Sequence, residues 1–496
     1  MSHRRTIPPS AWAYLLACGA ILAHQFVGVP GAGWLAGLAM LLFLILEFPR
    51  QRRYAQILFL VLTGAGLLAV AASDRRLALF LDGWQRGAVY GAFFLALTTL
   101  RDAAETSPLV RYCGRHLVAQ PPGRRYAALA GGGHLFGIML SYGSIELLGA
   151  MVGRANARGI ERANARGSEQ ANAHGTERAN ARGTEPADAP GAAPANGRGA
   201  DQAERGKRML LAIQRGFCVM NCWNPLNLMT VVVATAVPTA SLHLLLPLAF
   251  ATSIGIMAIG WLEDRLMHPT PPPEPAPGGW GIHLALVLLV LAVMAASEGT
   301  SLLLGVSLVA AVTLAVPLAA LLWIAAQTPH FVRPVTPGRI AGGLGHRIGR
   351  FVPRVPAFRG EATVLAASGF MGVTVGAVLP PDLLAPVIGL LPPILVPLLV
   401  PVLLIATGQV GLNPIAIVAL IGAALPDPAA LGIPPSALAL SCMLGWGLAV
   451  GMTPMSASAI ITARWAGVSP WTVGSRWNAA YTAGGLVLAW GAILLV

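Results

Sequence analysis

Two Asn-Pro pairs inside long apolar runs are the residues of this chain whose types and spacing could bind a ligand. Residues 224–238 read NPLNLMTVVVATAVP and residues 413–426 read NPIAIVALIGAALP, so each run begins with Asn-Pro and ends in a second proline. Proline lacks a backbone N–H and breaks a helix near the preceding residue. Asparagine supplies an acceptor and a donor at the break. Each pair therefore predicts a polar helix break within an apolar segment.

The sequence before each Asn-Pro pair is also repeated. RRYAALAGGGHLFG at 124–137 resembles RGEATVLAASGFMG at 359–372, since both are led by arginine and rich in small residues. We therefore predict two structural repeats, 101–267 and 350–496. A single Asn-Pro pair would indicate only a kink. Broken helices in corresponding positions of two repeats instead favour an ion or solute site, because freed backbone groups and half-helix dipoles can hold a charge.

Small and polar residues surround the breaks. The second pair is preceded by a group of glycines, a hydroxyl and an amide, and GMTPMSASAI at 451–460 predicts a third helix break with inward-facing hydroxyls. Hydroxyls, amides and unwound carbonyls are suited to a carboxylate or to Na⁺. For 453–458, close packing of helices through small residues is an equal alternative. The candidates from these segments are Asn224, Pro225, Asn413, Pro414, Thr407, Gly408, Gln409, Gly411, Thr453 and Ser456.

One acidic residue, Glu146, also lies in an apolar segment, FGIMLSYGSIELLG. Charged side chains within membrane spans are costly and are usually functional. Glu146 is therefore a candidate for a proton- or cation-linked carboxylate. The alternative is a position near the membrane edge, where a carboxylate costs little.

The composition indicates which kind of fold must position these residues. The 496 residues are 55% hydrophobic and 11% charged, with a mean hydropathy of +0.67, whereas soluble domains carry about 25% charge. Many apolar runs approach the roughly 20 residues that cross a bilayer. We predict an all-α polytopic membrane protein with about 11–13 transmembrane segments, including broken helices or re-entrant hairpins.

The charge pattern indicates membrane orientation rather than nucleic-acid binding. The net charge of +13 comes mostly from arginines in the loops between apolar runs. Cytoplasmic loops carry an excess of basic residues. We therefore expect a multi-pass protein of the plasma (inner) membrane with a cytoplasmic N-terminus, which lies in the lipid bilayer and binds no nucleic acid.

The chain divides into four regions. A four-helix transmembrane region covers 1–100, and linker helices with a basic loop cover 268–349, between the two repeats. The first repeat contains an octapeptide insert, 153–207, which includes RANARGIE, RANARGSE and RANARGTE. The insert has almost no bulky apolar residue, so we expect it to be disordered.

Motifs for enzyme chemistry are missing from the sequence. It contains no Walker A pattern, no H-E-x-x-H and no G-x-S-x-G. We therefore expect no enzyme activity, no cofactor and no metal site beyond a coupling ion such as Na⁺ or H⁺.

Paired breaks such as GLNPI at 411–415, each preceded by a segment rich in small residues, resemble those of the ion transporter superfamily. Its members include dicarboxylate/citrate, arsenite and Na⁺/H⁺ transporters. The resemblance implies that Asn224 and Asn413 belong to the solute or ion site, and that transport occurs by alternating movement of a core against a scaffold.

The resemblance also implies inverted repeats, which bears on the apolar block 126–152. If this block is a hairpin, both arginine-rich loops, 101–125 and 327–360, lie in the cytoplasm and both repeats start on the same side. If it spans once, inversion is easier, but 327–360 lies outside. We favour inversion because the resemblance implies it.

Together, these features predict an ion-coupled secondary active transporter of a small anionic solute, either an organic acid or an inorganic oxyanion. The solute would be held at the paired Asn-Pro breaks near mid-membrane. The alternatives are a non-transporting membrane scaffold or assembly subunit and, less favoured, a membrane-embedded transferase. A homodimer is a further candidate assembly.

Overall fold

The computed structural model describes most of the chain. The described residues are 7–157, 196–268, 279–327, 336–378, 380, 385–425 and 427–496. Within these ranges the secondary structure is helical, with no β-strand. The all-α fold follows from long apolar runs of leucine and alanine, which satisfy their backbone groups internally only as helices when they lie in lipid.

The first four helices pack against one another in the N-terminal part of the chain. Gly28 and Gly31 adopt positive φ angles in the turn between the first two helices, a conformation that favours glycine. Ser10 donates to Glu47 across this pair (2.7 Å), which satisfies a buried carboxylate. The four helices are α1 Pro9–Leu22, α2 Ala32–Glu47, α3 Arg53–Ala72 and α4 Arg76–Glu105.

The next six helices carry the first Asn-Pro pair, which lies between α8 and the short α9. α6 and α7 form a hairpin, since Leu148 lies beside Gly132 although one continuous helix would separate them by about 24 Å. Block 126–152 is therefore a helical hairpin. These helices are α5 Pro108–Val118, α6 Arg125–Leu140, α7 143–157, α8 Asn196–Met220, α9 Leu228–Ala236 and α10 Leu242–Met267.

The remaining helices carry the second Asn-Pro pair, between α16 and α17. A π-helical turn at Thr472–Trp477 precedes the last helix. These helices are α11 Gly281–Leu304, α12 Leu308–Gln327, α13 Pro337–Phe351, α14 Arg359–Val378, α15 Ala385–Ile388, α16 Leu395–Gln409, α17 Pro414–Ala424, α18 Pro435–Met452, α19 Ala457–Ala466 and α20 Ala479–Ile493.

Eight helical stretches of the described residues are long and apolar enough to cross a membrane. Three further apolar helices, α16, α17 and α20, are shorter. Many leucines and tryptophans on the outer surface are exposed, Leu266 and Leu303 among them, as expected where lipid covers the protein. The predicted fold class, an all-α polytopic membrane protein, is confirmed. The expected number of segments, 11–13, is larger than eight because it also counts helices that are shorter or more polar than these eight.

The predicted insert 153–207 is only partly described. Helix α7 continues to residue 157 and α8 begins at Asn196, so both described ends of the insert are helical where disorder was expected. At the α8 end, Lys207 pairs with Glu204 (2.9 Å), a local i,i+3 contact that supports a helix. The remaining residues, 158–195, lie outside the described residues.

Small residues bring α6 and α8 into close contact. A Cβ added at Gly133 would overlap the Ile213 carbonyl, and one added at Gly216 would overlap the Ala130 carbonyl. A Cβ at Gly131, by contrast, would meet nothing within 4 Å. This packing places α8, which leads to the first Asn-Pro break, directly against the hairpin.

We expect Gly133→Ala to lower the thermal unfolding midpoint, because forcing backbones apart costs about 1–3 kcal/mol. Gly131→Ala on the same helix is the matched control. It should leave the midpoint unchanged or raise it, because alanine favours a helix over glycine by up to about 1 kcal/mol. Thermal unfolding of both purified variants in detergent measures the difference. Equal midpoints would contradict the close packing of α6 on α8.

Candidate solute-binding site

The second Asn-Pro pair breaks its helix as the sequence predicts. α16 has 15 residues, about 22 Å of helix, which is less than the roughly 30 Å of a bilayer core. Gly411 follows with φ 86°. The Asn413 side chain then accepts a hydrogen bond from the Ile415 N–H (2.9 Å) and caps α17. Pro414 occupies the first helical position, where its missing N–H costs nothing.

A third break follows α18, within the segment 451–460 where the sequence predicts one. α18 ends at Met452 and α19 begins at Ala457. Ser456 accepts from the Ala459 N–H (3.1 Å) and donates to the Thr453 carbonyl (2.8 Å). The serine hydroxyl therefore satisfies backbone groups at the break itself.

These two breaks meet a third irregular segment, the π-helical turn before α20. Gly408 packs closely on Thr453, and a Cβ added at Gly408 would overlap the threonine hydroxyl. Gln409 donates to the Met452 carbonyl (3.4 Å) and accepts from the Ser475 hydroxyl (2.7 Å). We call this meeting of residues 407–413, 453–456 and 472–478 the break cluster. It contains seven of the predicted residues: Thr407, Gly408, Gln409, Gly411, Asn413, Thr453 and Ser456.

The Thr453 hydroxyl differs from the other hydroxyls of the break cluster. Thr407 donates to the Leu403 carbonyl (2.7 Å), and Ser456 is bonded as described above. Thr453 is only 6% exposed, and its hydroxyl has no hydrogen-bond partner among the described residues. Buried polar groups are nearly always partnered, so an unpartnered one is a reason to expect a ligand contact.

Two residues that the sequence reasoning did not select, Asn478 and Arg215, hold the segments of the break cluster together. Asn478 donates to the Gln214 side chain (3.1 Å) and to the carbonyls of Gly451 (3.2 Å) and Val473 (2.9 Å). Its own oxygen accepts from Arg215 Nε (2.9 Å). Asn478 therefore ties α8, α18 and the π-helical turn together.

Arg215, which donates to Asn478, is a buried cation and is 3% exposed. It forms an ion pair with Glu263 (2.8 Å) and donates to the Tyr126 hydroxyl (3.2 Å) and the Trp477 carbonyl (3.0 Å). With Asn478, these partners occupy most of its donors, so Arg215 positions helices rather than binding a solute. Two features of the sequence could have pointed to Arg215: it lies within an apolar run, and an acidic pair at 263–264 could supply its partner.

The first Asn-Pro break satisfies its own polar groups. Asn224 is buried, accepts from the Leu226 N–H (2.9 Å) and donates to Met220 Sδ (3.1 Å). Its carbonyl accepts from the Thr230 hydroxyl (2.7 Å). Asn227, two residues after Pro225, caps α9 by accepting from the Met229 N–H (2.9 Å).

The structure does not bring Asn224 into the break cluster. Cys218 packs near Gly451, whereas Cys222 lies beside Gly447 and the Leu444 carbonyl, so α8 runs antiparallel to α18. From Leu444 to Thr453 is about 13 Å along α18. The helices that follow the two breaks, α9 and α17, instead contact each other near their C-terminal ends, where Gly422 lies against Ala236.

Glu146 also lies apart from the break cluster. It pairs with Arg464 and accepts from the Trp465 indole N–H (3.2 Å), at the opposite end of α19 from Ser456. Its side chain is partly exposed. This contact joins α7 to α19.

The helices and their breaks define an all-α polytopic membrane protein. This fold is similar to that of the YdaH transporter from Alcanivorax borkumensis, whose crystal structure is described as revealing an unusual topology. The TM-score is 0.51 and the sequences are 13% identical, with the match covering 89% of this chain and 98% of that chain. No protein-family model matches the sequence, and no curated protein matches it.

Proposed function

We propose that this protein is an ion-coupled secondary active transporter of a small anionic solute, with the break cluster as its binding site. The observation that carries the proposal is the buried Thr453 hydroxyl, which has no hydrogen-bond partner in the described part of the chain and lies where two broken helices and a π-helical turn meet. The fold shared with a transporter supports the same class. As the sequence resemblance implies, we assign the chain to the ion transporter superfamily, with a cytoplasmic N-terminus in the inner membrane. Because block 126–152 is a hairpin, both repeats start on the same side of the membrane, which goes against the inverted repeats that the resemblance implies.

The helix ends at the break cluster suggest how opposite charges are held. α16 and α18 end there, so their last carbonyls present the negative ends of helix dipoles, which suit Na⁺ or a proton-carrying group. α17 and α19 begin there, and helix N-termini favour an anion such as a carboxylate or oxyanion. The side chains of Gln409 and Thr453 add polar contacts between these ends.

In this proposal the two Asn-Pro pairs act differently. Asn413 and Pro414 form part of the solute or ion site, whereas Asn224 and Pro225 shape the first break and hold α9 against α17. A movement of these helices against the N-terminal helices would alternate access to the site. Glu146 would act on that movement through its ion pair with Arg464.

Uptake into proteoliposomes tests the assignment, with a panel of radiolabelled organic acids and inorganic oxyanions driven by Na⁺ or pH gradients. We expect Asn413→Ala to reduce uptake about tenfold and to cost about 1 kcal/mol through its lost helix cap. Asn224→Ala should reduce stability by about 1–3 kcal/mol, because it removes a buried local network.

Thr300→Ala is the control for these variants. Thr300 is a partly exposed residue of α11 whose hydroxyl donates to the Ala296 carbonyl of the same helix (2.7 Å), and its replacement should leave uptake unchanged. Normal uptake by Asn413→Ala would overturn the site assignment. Failure of the unmodified protein to transport any solute of the panel would favour the scaffold alternative.

A further inference from the structure

A hydrogen bond joins the N-terminal helices to the break cluster. The Tyr54 hydroxyl, in the first turn of α3, donates to the Gly411 carbonyl (3.1 Å). Among the described residues, this is the one hydrogen bond between α1–α4 and the break cluster. It therefore connects the two parts of the protein that the proposed movement would displace relative to each other.

The acceptor of this bond lies at the turn that leads from α16 into the second Asn-Pro break. Gly411 has a φ of 86°, a left-handed conformation that favours glycine. Its N–H donates to the Gly408 carbonyl (3.0 Å), whereas its own carbonyl lies outside any helix and accepts from Tyr54. When Tyr54 moves away, the Gly411 carbonyl needs water or a ligand as its new partner.

Apolar packing contributes little to the position of this turn. Val410 and Leu412, on either side of Gly411, are both exposed, and so is Met455 of the third break. Segments with few buried apolar contacts open more easily than the core. The polar contacts therefore fix the turn, with Gln409 bonded to the other segments of the break cluster and Gly411 bonded to α3.

The later part of α17 is held on α3 in a different way, through α14. Gly372 of α14 lies close to Ala419 of α17, and Phe370 of α14 lies beside Gly66 of α3. These are close contacts between helices, which small residues permit. A movement of the second break relative to α14 therefore separates Tyr54 from Gly411 while the later part of α17 can stay in place.

We propose that the bond between Tyr54 and Gly411 is a latch, which holds the second break against α3 in one state of the transport cycle and opens in the other. A neutral hydrogen bond exchanges with bonds to water at a small net gain, so a latch of this kind allows both states to be populated. The inference rests on the proposed function, because the movement is that of the transport cycle. The latch itself is measurable without a solute.

Distances between two spin labels test the latch in the full chain, purified in detergent. Nitroxides are attached at V410C and L68C, which are exposed positions, in a parent chain that carries C18A because Cys18 is the one cysteine that is not buried. Leu68 lies about 21 Å along α3 from Tyr54. We expect Tyr54→Phe, which removes only the hydroxyl, to raise the population at longer distance about two- to tenfold relative to the shorter one.

Tyr112→Phe is the matched control. Tyr112 is also exposed, but it lies on α5, which packs on α6 and α11, and its replacement should leave the distances of the parent chain unchanged. Unchanged distances in Tyr54→Phe, or an equal shift in Tyr112→Phe, would overturn the latch. A shift in Tyr54→Phe alone would support it even if the protein transported no solute of the panel, so a failure of the latch and a failure of the proposed function are distinguishable.

Discussion

Thr453→Val should abolish most transport while leaving the protein as stable as before. Valine keeps the shape of threonine but lacks the hydroxyl, which is buried and unpartnered among the described residues. If this hydroxyl contacts the solute or coupling ion, its loss should reduce initial uptake about ten- to hundredfold. Because no intramolecular hydrogen bond is lost, thermal stability should be unchanged or higher by about 1 kcal/mol. Proteoliposome uptake and thermal unfolding measure the two effects.

Thr313→Val is the matched control for this experiment. Thr313 is also buried, but its hydroxyl donates to the Val309 carbonyl within α12 (2.7 Å), away from the break cluster. Its replacement should leave uptake intact. Full uptake by Thr453→Val would exclude the hydroxyl from the transport path. A parallel loss of uptake and stability would assign it a structural role instead.

Arg215→Gln should destabilise the protein strongly. The substitution leaves the largely buried Glu263 side chain, which is 19% exposed, without its cation, and it removes the bonds of the buried Arg215 to Tyr126, Trp477 and Asn478. Removing one partner of a buried ion pair typically costs about 3–5 kcal/mol. A large fall in the thermal unfolding midpoint in detergent is therefore expected, together with a loss of monodisperse protein.

Arg464→Gln provides the comparison, because it also breaks an ion pair with a glutamate. The Arg464 side chain is 62% exposed, and exposed pairs contribute only about 0–1 kcal/mol. The thermal unfolding midpoint of Arg464→Gln should stay close to that of the unmodified protein. A double variant, R215M/E263L, should recover much of the stability lost in Arg215→Gln, since apolar replacement of a whole buried pair is often tolerated. Equal midpoints for Arg215→Gln and Arg464→Gln would contradict the proposed role of Arg215.

Much of the fold could be predicted from the sequence, because the features concerned are local. Apolar runs predict membrane helices whatever their neighbours are, and Pro414 and Pro454 interrupt a helix through their own covalent structure. The helix breaks after α16 and α18 therefore appear where they were expected. Even within such segments, the choice of capping residue depended on the local backbone. Asn227 rather than Asn224 caps α9.

By itself, the sequence determined that the chain is an all-α membrane protein with polar breaks at defined places. The tertiary structure alone decided which breaks meet. It joined Gly408 with Thr453 and kept Asn224 in its own closed turn. It also gave Arg215 its partners, Glu263 and Asn478, which lie far away along the chain. The physical reason is that helix formation depends on neighbouring residues, whereas these contacts depend on how small residues let whole helices pack.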